Sequence, residues 1–189
     1  MKKTFLGLAI AFTLFSFAIL PSIDWTSDST HSRLGFSINH MGIADVNGEF
    51  QKFEVKVASS ALDLANSTIE MSADVSSIYT GVEMRDNHLK TADFFDAAKY
   101  PTVTFKSTSV TKQKKNTYLI KGNLTMHGIT KEISFTAAHN GTVQDEAGKN
   151  IAGYKMSGSI KRSDFGVGQP SAGLSDVVKL NCDLEVAQN

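Results

Sequence analysis

A single cysteine, Cys182, stands in this chain of 189 residues, so no disulfide can join two parts of it. The thiol shares its strand parity with Val178, Leu180, Leu184 and Val186, which reads as a small inward-facing hydrophobe rather than a reactive group. Net charge is missing too: 19 Lys and Arg offset 19 Asp and Glu. Without a field of one sign the chain has no electrostatic footprint for nucleic acid. Beyond residue 20 no apolar run is long enough to span a bilayer. Catalytic signatures are lacking as well. The five histidines, His31, His40, His88, His127 and His139, form no H-E-x-x-H motif and no close Cys/His ligand set, so neither a metal nor a cofactor is expected. His31 and His40 lie nine apart on one predicted strand, on opposite faces. No G-x-S-x-G elbow or phosphate loop occurs.

What is present begins with a targeting segment. Lys2 and Lys3 give a basic start, Phe5 to Leu20 an apolar run, and Ser16-Phe17-Ala18 a small-x-small cleavage site, so residues 1–18 read as a signal peptide, with a second candidate cut after Ser22. No Cys follows the run to carry a lipid anchor. The reading places a slightly acidic mature domain, residues 23–189, in the periplasm, with no stable membrane span left.

That remainder suits one domain and reads as strands. Leu34, Phe36 and Ile38 alternate with Gly35, Ser37 and Asn39. Val46, Gly48 and Phe50 continue with period two, then Phe53, Val55 and Val57 take the opposite parity, a phase slip that predicts a bulge at a barrel corner. Ile69, Met71, Ala73 and Val75 form the cleanest strand. Further strands follow Pro101, run through Tyr118 to Leu124, Ile129 to Ala137 and Ala152 to Ile160, and end with Val178 to Val186. Loops are expected at Lys112 to Asn116, Asn140 to Asn150 and Arg162 to Asp176. About eight strands joined mostly by short turns suit an all-β sandwich or barrel; the spacing does not choose between them.

The stretch from Glu83 to Phe105 breaks this pattern. Met84 to Lys90 suits one or two helical turns, with Asp86 and Lys90 placed for a surface ion pair. Asp93 is placed to cap a second short turn through Ala97, and Pro101 forces Tyr100 into extended backbone. The segment reads as a short helical lid, with at least one of Phe94 and Phe95 pressed onto whatever the strands enclose.

The motifs Arg85-Asp86-x-His88-Leu89, Asp93-Phe94-Phe95-Asp96 and Tyr100-Pro101-Thr102-x-x-Phe105 closely resemble those of the YceI-like family of polyisoprenoid-binding proteins. So do Trp25, His31-Ser32, Phe36 to His40 with Gly42, and Val46-x-Gly48-x-Phe50. Gly122-x-Leu124-Thr125-x-His127-Gly128-x-Thr130-Lys131, Arg162-x-Asp164-Phe165-Gly166 and Ser175-Asp176-x-Val178 extend the match, which covers essentially everything after Pro21. The resemblance implies a lipocalin-like antiparallel β-barrel of about eight strands with a short helical lid, exported, holding a long-chain isoprenoid or similar amphiphilic lipid. Such a chain of about 40 carbons, at about 0.3 kcal/mol per heavy atom, would bind with about 12 kcal/mol without any catalytic group.

The expected ligand-facing set is Phe36, Ile38, Phe50, Met71, Ala73, Phe105, Ile120, Leu180 and Leu184 on the strands, with Phe94 and Phe95 on the lid; Ala73, Gly122 and Gly158 would leave room. Arg85 is the candidate for a polar head group, because a guanidinium meets phosphate or carbonyl oxygens in a fixed fork, and His88 is a second donor. The competing role for Arg85 is a strut paired with Asp86, Asp93 or Asp96; Arg162 and Asp164 read as structural first. Two other classes stay open: a periplasmic protein-interaction module with a filled barrel, and a hydrolase whose site is assembled by folding. A homodimer is also left open.

Overall fold

The computed structural model describes residues 22–189; the expected signal peptide, residues 1–18, lies outside them. Among the described residues eleven strands form one antiparallel sheet: β1 (Ile23–Ser27), β2 (Arg33–His40), β3 (Ala44–Phe50), β4 (Phe53–Ser59), β5 (Thr68–Asp74), β6 (Ile78–Tyr79), β7 (Thr102–Lys114), β8 (Thr117–Met126), β9 (Ile129–Gln144), β10 (Asn150–Lys161) and β11 (Leu174–Gln188). A helix, α1 (Glu83–Leu89), stands between β6 and β7, and short 3-10 turns occupy Val75–Ser77 and Arg162–Phe165.

Six of these strands are halves of three bent staves. β1 pairs with β4 and β2 with β3, so residues 23–40 and 44–59 form one long hairpin. Between the pairs Trp25–Val57 and Leu34–Phe50 the first arm carries two more residues than the second, and it sheds them at the Asp28–Ser32 corner. β5 continues through the 3-10 turn into β6 and follows the same bend, pairing first with β4 and then with β3. The parity slip after Phe50 is this corner: β3 ends, Gln51 and Lys52 turn, and β4 begins. Ser77 fills it, its carbonyl accepting from the Gln51 N–H and its hydroxyl from the Lys52 N–H. β11 runs against β10, then against both β1 and β2, which closes the eight-staved barrel and removes its edges.

Several predicted loops are shorter than expected. β7 runs to Lys114, leaving a two-residue turn, and β9 runs to Gln144, leaving 145–149 as its loop. Both arms pair with long partners, and that ladder overrides the Asn-Gly turn signal at Asn140.

The two ends of the barrel differ. At the end where β1 begins and β11 finishes, Trp25, Val57, Tyr118, Ile120, Ala137, Ala152, Tyr154 and Val186 are all buried and fill the interior. The other end carries the β2–β3 hairpin tip, the segment 80–101, the β8–β9 turn and the loop after Lys161.

Candidate functional site

Along single strands, inward residues of one parity change from sealed to half-open. On β10, Ala152 and Tyr154 are buried, whereas Met156 and Ile160 are half-buried. On β11, Val186 and Leu184 are buried, whereas Cys182, Leu180 and Val178 are half-buried. The half-burial is exposure to an internal space: a cavity of about 410 Å³, lined by these residues together with Leu34, Phe36 and Ile38 of β2, Phe50, Met71, Phe105, Phe135 and the lid. Its volume lies within the range of small-molecule pockets, and its wall is almost wholly aliphatic and aromatic.

The wall aromatics stay out of the lumen because glycines receive them. A Cβ at Gly48 would collide with the Phe36 ring, and one at Gly122 with the Phe105 ring and the Lys106 carbonyl. Each ring therefore lies against a neighbouring strand instead of projecting across the barrel. Phe36, Phe50 and Phe95 then make a continuous aromatic path from wall to lid, with centroids 6.1 and 6.0 Å apart. Phe94 covers Gly168 of the opposite loop and meets the His88 ring edge-on at 5.0 Å.

The polar groups gather at the lid. Asp86 is buried and accepts from the Thr80 N–H at 2.8 Å and from its hydroxyl. Thr80 in turn accepts from Arg85, Nε to Oγ1 at 2.7 Å and Nη2 to the carbonyl at 2.8 Å. The guanidinium is thus fixed on the cavity wall by a neutral residue, and its Nη1 has no protein acceptor among the described residues. The expected pairing of Arg85 with Asp86, Asp93 or Asp96 does not form. Nor does Asp86 pair with Lys90: its carboxylate turns inward to hold Thr80. Asp93 caps no turn. It meets His88, Nε2 to Oδ2 at 3.3 Å, while the Thr91 carbonyl accepts the Phe94 and Asp96 N–H groups. Arg162 is structural, as expected: it is buried and donates to the carbonyls of Val167, Gln169, Leu174 and Ser175, gathering the loop after Lys161. Desolvation pushes the Cys182 thiol up to about 11, so at neutral pH it is a neutral part of the apolar wall.

Eleven of the thirteen expected site residues line this cavity: Phe36, Ile38, Phe50, Met71, Arg85, His88, Phe94, Phe95, Phe105, Leu180 and Leu184. Ala73 and Ile120 do not. They point inward as their parity requires, but Ala73 is 1% and Ile120 0% exposed, sealed in the packed part of the core. Gly122 opens no space for a ligand either, since Phe105 occupies it. The reading missed Thr80, which no local signal marks, and it missed Ile133, Phe135, Met156 and Ile160 as wall residues, although their alternation was visible.

A closed antiparallel barrel, solid at one end and hollowed at the other into an apolar cavity under a lid, is an architecture that can hold one small ligand. The model of the YceI-like domain matches residues 25–186, and this chain belongs to that family. A UPF0312 protein of Vibrio cholerae is 32% identical over 190 residues, with all of both chains covered. Protein YceI of Escherichia coli is 33% identical over 190 residues, covering 100% of this chain and 99% of its own. Among solved structures, Burkholderia cenocepacia BcnA superposes with a TM-score of 0.74 at 25% identity, over 84% of this chain and 98% of that one. A polyisoprenoid-binding domain from Saccharophagus degradans, implicated in plant cell wall breakdown, shares the fold at 15% identity, with a TM-score of 0.63 over 88% of this chain and 99% of that one.

Proposed function

We propose that this protein is a non-catalytic carrier of a long-chain isoprenoid or similar amphiphilic lipid in the periplasm. The observation that carries the reading is the cavity itself. An unfilled space of about 410 Å³ with an apolar wall is unfavourable unless apolar atoms occupy it, because its lining forfeits dispersion contacts and faces water. The placement of its polar residues supports one orientation: the hydrocarbon lies against Met71, Phe105, Phe135 and Leu180, and the polar head meets Arg85 and His88 at the lid. The hydrogen bonds that Arg85 donates to Thr80 leave its Nη1 unused, which suits an oxygen-bearing head, whether phosphate, carboxylate or carbonyl. A polyisoprenoid-binding domain of the same fold fits this reading. So does the leader, since a hydrocarbon of that length needs a carrier to cross an aqueous compartment. Organic extraction of the exported, purified protein followed by mass spectrometry tests it. About one equivalent of a long-chain lipid per protein is expected, and an extract free of lipid from protein that also takes up none from vesicles would reject it.

A further inference from the structure

Two segments flanking the lidded end show apolar side chains to solvent. On the β2–β3 hairpin tip Met41 is 63% and Ile43 84% exposed; ahead of and on α1, Val82 is 46% and Met84 83% exposed. Each segment adjoins the cavity directly: His40, next to Met41, and Arg85, next to Met84, both line it.

The tip is built at a local cost. Met41 and Gly42 have φ of 55° and 76°, and the Ile43 N–H donates to the His40 carbonyl, the pattern of a two-residue hairpin turn in which Asn-Gly is the easy choice. Among the described residues three other non-glycine positions have positive φ. Asn66 and Asp96 are types that tolerate it. His127, in the same kind of turn, offsets it by packing on the Tyr100 ring at 4.9 Å and reaching the Phe165 carbonyl from Nδ1. Met41 has no comparable support, since its side chain lies mostly in solvent. A thioether held out into water, in backbone that disfavours it, contributes nothing to the fold.

We propose that the hairpin tip and the start of the lid dock this protein on the surface of a phospholipid bilayer, mouth first. The proposal rests on the carrier reading above, because it gives the cargo a route between bilayer and cavity that avoids water. Asp45, beside the tip, is already paired with Lys179 at 3.0 Å, so the tip presents apolar groups without an unpaired ion at its base. Docking is therefore apolar, shallow and reversible, with no need for anionic lipid. A narrow projecting tip suits a soft layer better than the flat patch of about 800 Å² per partner that a stable dimer uses.

The test compares the exported wild-type protein, its N-terminus defined by mass spectrometry, with the double variant Met41→Asn/Ile43→Thr in sedimentation with sucrose-loaded phosphatidylcholine vesicles. The variant is expected to partition at least about tenfold more weakly. Its thermal midpoint should be unchanged or higher, since Asn is at home in that turn. Met84→Gln should weaken partitioning in the same direction. Equal partitioning of wild type and variants, or no sedimentation of the wild type, overturns the proposal. A concentration-dependent dimer that only the variant abolishes overturns it in favour of a second copy as the occupant. Lipid extracted from the same samples separates the two readings: cargo retained by a variant that no longer docks supports docking alone, and docking by protein that never holds cargo rejects the carrier.

Discussion

Ile120 and Ile160 are the same residue type, both inward-facing on long strands of one barrel, yet they live in different surroundings. Ile120 has no solvent-accessible surface and belongs to the solid end; Ile160 is half-buried on the cavity wall. What differs is what stands across from them. At the solid end the large side chains of Trp25, Tyr118 and Tyr154 are buried in one core cluster. At the lidded end Phe36 and Phe105 lie along the wall over Gly48 and Gly122, and the axis stays open. One barrel thus carries a core that holds the fold and a hollow that holds nothing of the fold's own.

The largest effect expected from this contrast is in stability. Ile120→Ala should cost about 3–4 kcal/mol, because the neighbours of a sealed site collapse only partly onto the void. Ile160→Ala should cost about 1 kcal/mol or less, because its side chain already lacks contacts on the cavity side. Denaturant unfolding of both variants without lipid measures the difference, since bound ligand would itself raise apparent stability. Equal costs would break the distinction between the two ends.

A second comparison separates binding from folding at the lid. Arg85→Ala is expected to weaken binding of an anionic or carbonyl-headed amphiphile by about tenfold or more, the usual reach of a charge-assisted hydrogen bond, with stability changed by about 1 kcal/mol or less. Asp86→Ala should do the reverse: it strands the Thr80 N–H and hydroxyl, loosening the lid and lowering stability. Fluorescent-lipid titration alongside thermal melts distinguishes them, and unchanged affinity in Arg85→Ala would remove it from the site.

The smallest expected effect is at the outer corner of the solid end, where Asp28, His31 and Glu185 meet. Hydrogen bonds from Thr30 and then from His31 hold the Asp28 carboxyl well below the usual carboxylate range, and Asp28 raises His31 in turn. The Asp28 contribution is present above its unfolded value near 4 and is lost as pH falls through the lower folded value. The His31 contribution is complete below about 6.5 and is lost as pH rises through the raised folded value. The stability gap between wild type and Asp28→Asn should therefore be widest between about pH 4 and 6.5 and narrow on both sides. A gap independent of pH would show that the corner is held by backbone geometry alone.

Much of this was legible in the chain. Alternation found the strands, and the slip after Phe50 marked a true corner. The family motifs implied the barrel, and the break before Pro101 placed the lid. Alternation cannot tell a core residue from a wall residue, however, because both ends of a stave share one parity. That is why Ile120 joined the expected site while Ile133, Phe135, Met156 and Ile160 were left out, and the same pattern could not set Ala73, sealed beside the wall residue Met71, apart from it. The ion-pair readings of Arg85 and Asp86 failed for another reason. Spacing on a helix ranks neighbours on that helix, whereas Thr80, from the strand before it, takes both side chains.

The central claim, that the lidded half is hollow for a ligand, is tested most directly by filling it. Leu180→Trp places an indole on the cavity wall, on the same strand and parity as the buried Leu184 and Val186. The measurement is bound lipid per protein after purification, with unfolding of the lipid-free protein beside it. The account predicts that the variant loses its lipid while staying within about 1 kcal/mol of wild type, because the new ring enters open space. A variant that keeps its full complement of lipid, or one that loses several kcal/mol as an overpacked core does, would contradict it.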